Sequence, residues 1–208
     1  MYDTAIIDYE TSNLKSVISA CKFAKMSYII TNDIKKIKAS KSLIIPGVGS
    51  FKSAINYLRK KKLDLIILDF YKKKKPILGI CLGMQIFFNS SEESKNIKGL
   101  SLIKKPVKKF HTNTTKKIPL IGWTKIIGNF KDSLVRSNKD KNYYFVHSFY
   151  INFFRKKNFK IFYSYNGKTK FCSYIEHNNL FLIQFHPEKS GAKGLEIYKN
   201  FKKKIKNQ

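Results

Sequence analysis

The chain has 208 residues, 43% of them hydrophobic and 14% aromatic, which is enough apolar surface for one substantial core and too much for a disordered chain. Its 42 Lys and Arg against 13 Asp and Glu give a formal charge of +29, but the cations are nearly all Lys. They run from Lys15 to Lys206 without a recognition-helix, zinc-finger or aromatic-sheet motif, so a compositional bias toward Lys, Asn, Ile, Phe and Tyr explains them better than a nucleic-acid partner.

Cys21, Cys81 and Cys172 have no paired spacing, which disfavours a disulfide framework or thiolate zinc site and fits a reducing compartment. No signal core opens the chain, and no apolar run approaches the roughly 20 residues that cross a bilayer. The expectation is a cytoplasmic protein with no membrane association.

In chain order, Ala5 to Asp8 predicts a strand, Glu10 to Asn13 a turn, and Leu14 to about Lys25 a helix with Val17, Ile18, Cys21 and Ala24 on its apolar face. Tyr28 to Thr31 and Leu43 to Ile45 predict further strands, the second closed by Pro46 and Gly47. After Phe51 to Lys60, the stretch Leu63 to Tyr71 suits a helix by length, although its periodicity is ambiguous. Pro76 to Ile80 predicts a buried strand running into Cys81, with Leu82 to Phe88 as the following helix. From Leu100 onward strands dominate: 102–107, 120–127, 143–146, 159–165, 171–175 and 180–184, before a last helix from about Ala192 to Ile205. With no internal repeat and no long polar linker, the expectation is a single α/β domain over 1–208, with a mixed central sheet and helices on both faces. Periodicity leaves the strand order of the second half open.

Gly79-Ile80-Cys81-Leu82-Gly83 has the form of a nucleophile elbow with Cys in place of Ser, set between a predicted strand and helix. The small flanking residues admit a tight turn that presents the sulfur above the sheet. The helix N-terminus would favour a thiolate, and the Leu82 amide could donate to an oxyanion. An isolated cysteine is more often a small buried hydrophobe, the role assigned to Cys21 and Cys172, but the glycine pattern reverses that reading at Cys81.

The matching base lies in Gln184-Phe185-His186-Pro187-Glu188-Lys189. An extended backbone would put His186 and Glu188 on one side, so that Glu188 fixes the imidazole tautomer while His186 moves the thiol proton. His147 is a competing base without a carboxylate close in sequence, and its place after an aromatic strand suits a buried hydrogen bond. His111 and His177 lie in polar stretches and are given no role. Pro46-Gly47-Val48-Gly49 could offer backbone amides to an oxyanion or carboxylate, and it lacks the Gly-Lys-Ser/Thr of a nucleotide loop.

Taken with Ile7-Asp8-Tyr9, Asn13-Leu14, Pro76 to Gln85, Gly122-Trp123, Tyr144 to Ser148, Gly194-Leu195 and Asn200-Phe201, these segments make the chain resemble the class I glutamine amidotransferases. Within that family the likeness is to the glutaminase subunits of imidazole glycerol phosphate synthases. The resemblance implies a three-layer fold, a Cys81-His186-Glu188 triad that hydrolyses glutamine, and no metal or organic cofactor. It also implies a glutamine and oxyanion site made of Gly47, Val48, Gly49, Leu82, Gln85, Glu93 and Ser148. Ammonia would pass to a (β/α)8 cyclase subunit in a heterodimer serving histidine biosynthesis, with Asn13, Trp123, Tyr144 and Lys189 at the interface. Two departures stand out: Tyr9-Glu10-Thr11-Ser12-Asn13 where relatives commonly have Gly-x-Gly before Asn-Leu, and Pro119-Leu120-Ile121-Gly122-Trp123-Thr124 in place of Pro-His-Met-Gly-Trp-Asn. These leave an alternative partner, a sugar amidotransferase system that forms amidino sugars for bacterial surface polysaccharides.

Overall fold

The computed structural model describes residues 2–9, 14–47, 49–136 and 140–206. Its first half runs β1 (Thr4–Ile7), α1 (Lys15–Phe23), β2 (Tyr28–Thr31), α2 (Ile34–Lys38), β3 (Ser42–Ile45), α3 (Phe51–Lys60), α4 (Leu63–Lys72) and β4 (Ile77–Ile80). Strands β1, β3 and β4 are buried along their whole length, the condition of parallel strands covered on both faces, and so they read as continuous apolar runs. The two hydroxyls among them are satisfied: Thr4 Oγ1 and Ser42 Oγ lie 2.8 Å apart, and Ser42 Oγ donates to Asp3 O.

The second half continues α5 (Leu82–Gln85), β5 (Phe88–Ser91), β6 (Ile103–Lys109), β7 (Leu120–Lys125), β8 (Asn142–His147), β9 (Phe149–Ile151), β10 (Lys160–Asn166), β11 (Thr169–His177) and β12 (Leu180–Ile183). A 3-10 turn at Pro187–Lys189 then leads into α6 (Gly191–Lys206). Among the described residues, seven strands form the central sheet in the order β10-β11-β12-β4-β3-β1-β2. From β12 to β2 neighbours run parallel, while β10, β11 and β12 pair antiparallel, so the sheet is mixed. Two smaller sheets, β5-β6-β9 and the ribbon β7-β8, complete the strand pairing.

Alternation along each strand divides the core between two faces. Ile6, Ile44, Leu78 and Ile80 pack with Val17 and Cys21 of α1 and with Ile197, Tyr198 and Phe201 of α6. Ala5, Ile7, Leu43, Ile45 and Ile77 pack with Ile37 of α2, Phe51 and Leu58 of α3, and Ile67 and Phe70 of α4. The result is the three-layer arrangement. Leu63, Ile66, Ile67 and Phe70 form the buried stripe of α4, at the helical spacing that the apolar run had obscured. Helix α2 was not anticipated: it is five residues long, three of them Lys, and it starts where Asp33 Oδ1 accepts from the Lys35 and Lys36 amides.

One element differs in kind from expectation. The helix expected over Leu82 to Phe88 ends at Gln85, and Phe88 begins β5. Ile86, Phe87 and Phe88 are all buried, but their carbonyls accept from Leu100, Ile103 and Ser101. Pairing with a distant segment therefore captured an apolar run that local pattern alone allots equally to helix or strand. No helix among the described residues is long and apolar enough to cross a membrane.

Candidate active site

Strands β4 and β12 are adjacent and parallel, with Ile80 in register with Ile183. Chain segments leaving their carboxyl ends therefore emerge side by side, and the Cys81 amide donates to Ile183 O at 2.7 Å. Cys81 itself has φ 52° and ψ −109°, a region costing an L-residue about 1–3 kcal/mol. Close packing of the elbow holds it there. A Cβ on Gly83 would lie 2.0 Å from Ile45 O, and one on Gly47 would lie 2.1 Å from Ile80 O and 2.6 Å from the Leu82 nitrogen. Only hydrogen at those positions lets the turn seat between β3 and β4.

His186 follows β12 and Gln184-Phe185 in extended conformation, with φ −102° and ψ 95°. Glu188, expected on an extended chain, instead stands in the 3-10 turn begun by Pro187, which carries its carboxylate back beneath the ring. Glu188 Oε1 lies 2.7 Å from His186 Nδ1, with both side chains at most 9% exposed. That contact assigns the proton on Nδ1 to Glu188 and leaves Nε2 for the cavity that Cys81 and His186 both line. Burial alone would depress the imidazole, but the charge and hydrogen bond of Cys81, followed by those of Glu188, outweigh it and hold the ring up at about 10. Because α5 is only four residues long, its dipole contributes little, and an imidazolium is the main positive charge beside the sulfur.

A cavity of about 490 Å³ opens over this pair, lined by Gly47, Gly49, Leu82, Gln85, Glu93 and Ser148, with Glu188 and Lys189 at one side. Gln85 Nε2 donates to Phe149 O at 2.9 Å and to Gln184 Oε1 at 3.1 Å, so both amide hydrogens are used within the protein. Glu93 Oε2 accepts from the Phe51 amide at the start of α3. Val48 and Asn13 lie outside the described residues. Trp123 stands apart from the cavity on β7 and is 56% exposed, so it is not a core aromatic. Its ring meets Tyr144 edge to face across the ribbon and carries Lys193 Nζ at 4.9 Å. The ribbon is tied to the His186 loop: the His186 amide donates to Tyr144 O, and the Tyr144 amide donates to Ser190 Oγ. Sequence reading gave no role to Gln184, whose signal was a polar residue directly after an apolar strand, or to Ser190, which ends the 3-10 turn and had no such signal. Among the described residues, no three His, Cys, Asp or Glu side chains gather as a metal site would require.

His147 is a buried neutral imidazole rather than a competing base. Its Nδ1 lies 2.8 Å from Phe149 O, and Phe110, Phe145 and Phe171 surround the ring. Burial drives it down to about 4, against the Phe149 hydrogen bond and with the help of His186. The unfolded chain takes up this proton near pH 6.5 and the fold only near 4, so stability is intact above 6.5 and falls as pH drops between those values. The expected loss is about 3 kcal/mol in full and about 2 kcal/mol by pH 5. Urea melts of wild type and His147→Phe across this window should show the extra slope in wild type only; parallel curves would refute it. Cys21 and Cys172 are fully buried, with burial pushing both thiols up to about 12, as packing residues. His111 is exposed, whereas His177 is half-buried and stacked on Phe159.

Residues 5–205 match the family model for glutamine amidotransferase class-I. The chain is 40% identical over 198 residues to the imidazole glycerol phosphate synthase subunit HisH of Chlorobaculum tepidum, covering 94% of this chain and 97% of that protein. The HisH subunit of Prochlorococcus marinus subsp. pastoris is 38% identical over 206 residues, covering 99% and 100% respectively. Among solved structures, one described as a glutamine amidotransferase superposes with a TM-score of 0.73 at 12% identity, over 98% of this chain and 99% of that chain.

Proposed function

The chain belongs to the class I glutamine amidotransferase family, and from that premise we propose that it is the glutaminase subunit of an imidazole glycerol phosphate synthase, hydrolysing glutamine at Cys81 and handing ammonia to a (β/α)8 cyclase subunit. The observation that carries the chemistry is the pairing of Cys81, in its left-handed elbow, with a His186 ring oriented by Glu188. The shared description of the relatives supports the histidine pathway over the sugar alternative.

In this reading the Cys81 thiolate attacks the side-chain amide carbon of glutamine. The C–N bond breaks as His186 delivers its Nε2 proton to the departing nitrogen, and ammonia leaves. Water, deprotonated by His186, then attacks the thioester, and the C–S bond breaks to return the electron pair to sulfur. The Leu82 amide and the Gly47 to Gly49 segment, with Val48 between them, stabilise the oxyanion. Gln85 offers its side-chain carbonyl oxygen to the bound glutamine, with Glu93 and Ser148 as further polar contacts.

Trp123, Tyr144 and Lys189, with Asn13, are the proposed partner surface. An exposed indole next to exposed Ile121, on a ribbon hydrogen-bonded to the His186 loop, suits an anchor whose docking is felt at the site. The test is to mix the purified chain with its cyclase and measure glutamine turnover with and without the cyclase's acceptor substrate. Turnover should be low alone and rise on assembly; fast hydrolysis that ignores the partner would reject gating by the cyclase, and no hydrolysis with or without it would reject the glutaminase reading. Trp123→Ala should weaken assembly by about 2 kcal/mol, roughly 30-fold in Kd. Its exposure should keep the isolated chain's stability within about 0.5 kcal/mol of wild type.

A further inference from the structure

Gln184 follows the apolar strand β12 and is fully buried, so its primary amide must find its partners inside the protein. Its backbone amide donates to Ser173 O at 3.0 Å. The side-chain orientation follows from a chain of bonds. Phe149 O can only accept, so the Gln85 amide must turn its NH2 toward it, at 2.9 Å. The second hydrogen of that NH2 then needs an acceptor, which makes the atom 3.1 Å away on Gln184 the oxygen, Oε1. Nε2 of Gln184 consequently faces the other way, 3.7 Å from Cys81 Sγ.

The rest of the sulfur's surroundings gives that donor its importance. Val146 O, at 3.9 Å, can accept a thiol proton but gives a thiolate nothing. The titratable neighbours are His186 with Glu188 behind it and the neutral His147. His186 must release its proton to the leaving nitrogen, and for that part of the cycle it cannot also hold the sulfur. A neutral amide keeps its hydrogen throughout.

We propose that Gln184 is a positioning residue for the nucleophile, its Nε2–H fixing the Cys81 sulfur in line for attack and favouring thiolate over thiol. It acts again in the second half-reaction: when water adds to the thioester and the C–S bond breaks, the electron pair that returns to sulfur meets an N–H already in place. The inference rests on Cys81 being the nucleophile.

Two variants separate the donor from the rest of the amide. Gln184→Glu keeps an oxygen for Gln85 but puts a carboxylate oxygen against the sulfur, and Gln184→Met removes both polar ends at similar length. Iodoacetamide alkylation of the full chain, mapped by mass spectrometry across pH, reads the thiolate directly, and turnover with the cyclase present reads catalysis. Loss of one hydrogen bond to a charged group should slow Cys81 alkylation at neutral pH by about tenfold in Gln184→Met and further in Gln184→Glu. The alkylation profile should shift to higher pH, and kcat should fall by about tenfold with KM within about twofold. Alkylation and kcat matching wild type in either folded variant would overturn the assignment, as would failure of both variants to fold, which would make the amide purely structural. Wild-type labelling at Cys21 or Cys172 instead of Cys81 would defeat the nucleophile reading itself, a distinguishable outcome.

Discussion

Cys81→Ala should lower glutamine hydrolysis by about ten-thousand-fold or more, with the fold intact. The side chain ends at an atom that Ala also has up to Cβ, so the left-handed backbone is no more strained, and the elbow's contacts with Gly47 and Gly83 do not involve the sulfur. What disappears is the proposed bond-forming atom, for which no other described side chain substitutes. His186→Ala should cost about as much, because members of such a unit act together and are grossly non-additive. Cys21→Ala and Cys172→Ala, distant in role and buried in the core, should retain the wild-type rate per folded molecule. The measurement is ammonia release in the presence of the cyclase subunit, with thermal melts to certify folding. Residual turnover within about tenfold of wild type would mean that water attacks the amide without the thiol, and the thioester route would have to be abandoned.

Much of this was legible in the residues because of where buried strands end. Thr4–Ile7, Ser42–Ile45 and Ile77–Ile80 match the expected strands to within a residue or so, since a parallel strand covered on both faces is an unbroken apolar run with Pro, Gly or polar residues at its ends; Tyr28–Thr31, the half-buried edge strand, was legible from its β-branched and aromatic run. The motifs supplying Cys81, His186 and Glu188 were visible for the same reason: each sits just past such a run. Non-local structure was hidden. Strands β5 and β9 went unseen because Phe88–Ser91 and Phe149–Ile151 are defined by pairing with Ile103–Lys109, not by their own pattern. The order β10-β11-β12-β4 required knowing that a hairpin from the end of the chain docks beside the first-half strands. The amide chain from Phe149 through Gln85 and Gln184 to Cys81 links segments up to 103 residues apart, which no spacing rule anticipates.

Gly83→Ala should both destabilise the protein and silence the site. A methyl there would lie 2.0 Å from Ile45 O, 2.8 Å from its carbonyl carbon and 3.2 Å from its side chain, and two of those three atoms are backbone of β3. Strand β3 is held on both sides by β1 and β4, so it cannot retreat without breaking the parallel ladders. The first turn of α5 must move instead, and it carries the Leu82 amide and the Cys81 backbone with it. Overpacking of this kind costs about 3 kcal/mol or somewhat more. A displacement of about 1 Å at the reacting atoms costs about a hundredfold in rate, so turnover per folded molecule should fall as well. Gly49→Ala supplies the contrast: it has φ +82°, but its added methyl meets nothing within 4 Å, so its stability cost should be limited to backbone strain of about 1–2 kcal/mol. Urea melts at neutral pH, with glutamine turnover on the same samples, would compare the two. If Gly83→Ala melted within about 1 kcal/mol of wild type, β3 and the elbow could not be packed as closely as the 2.0 Å approach requires, and Cys81 could not be seated against β3 in this way.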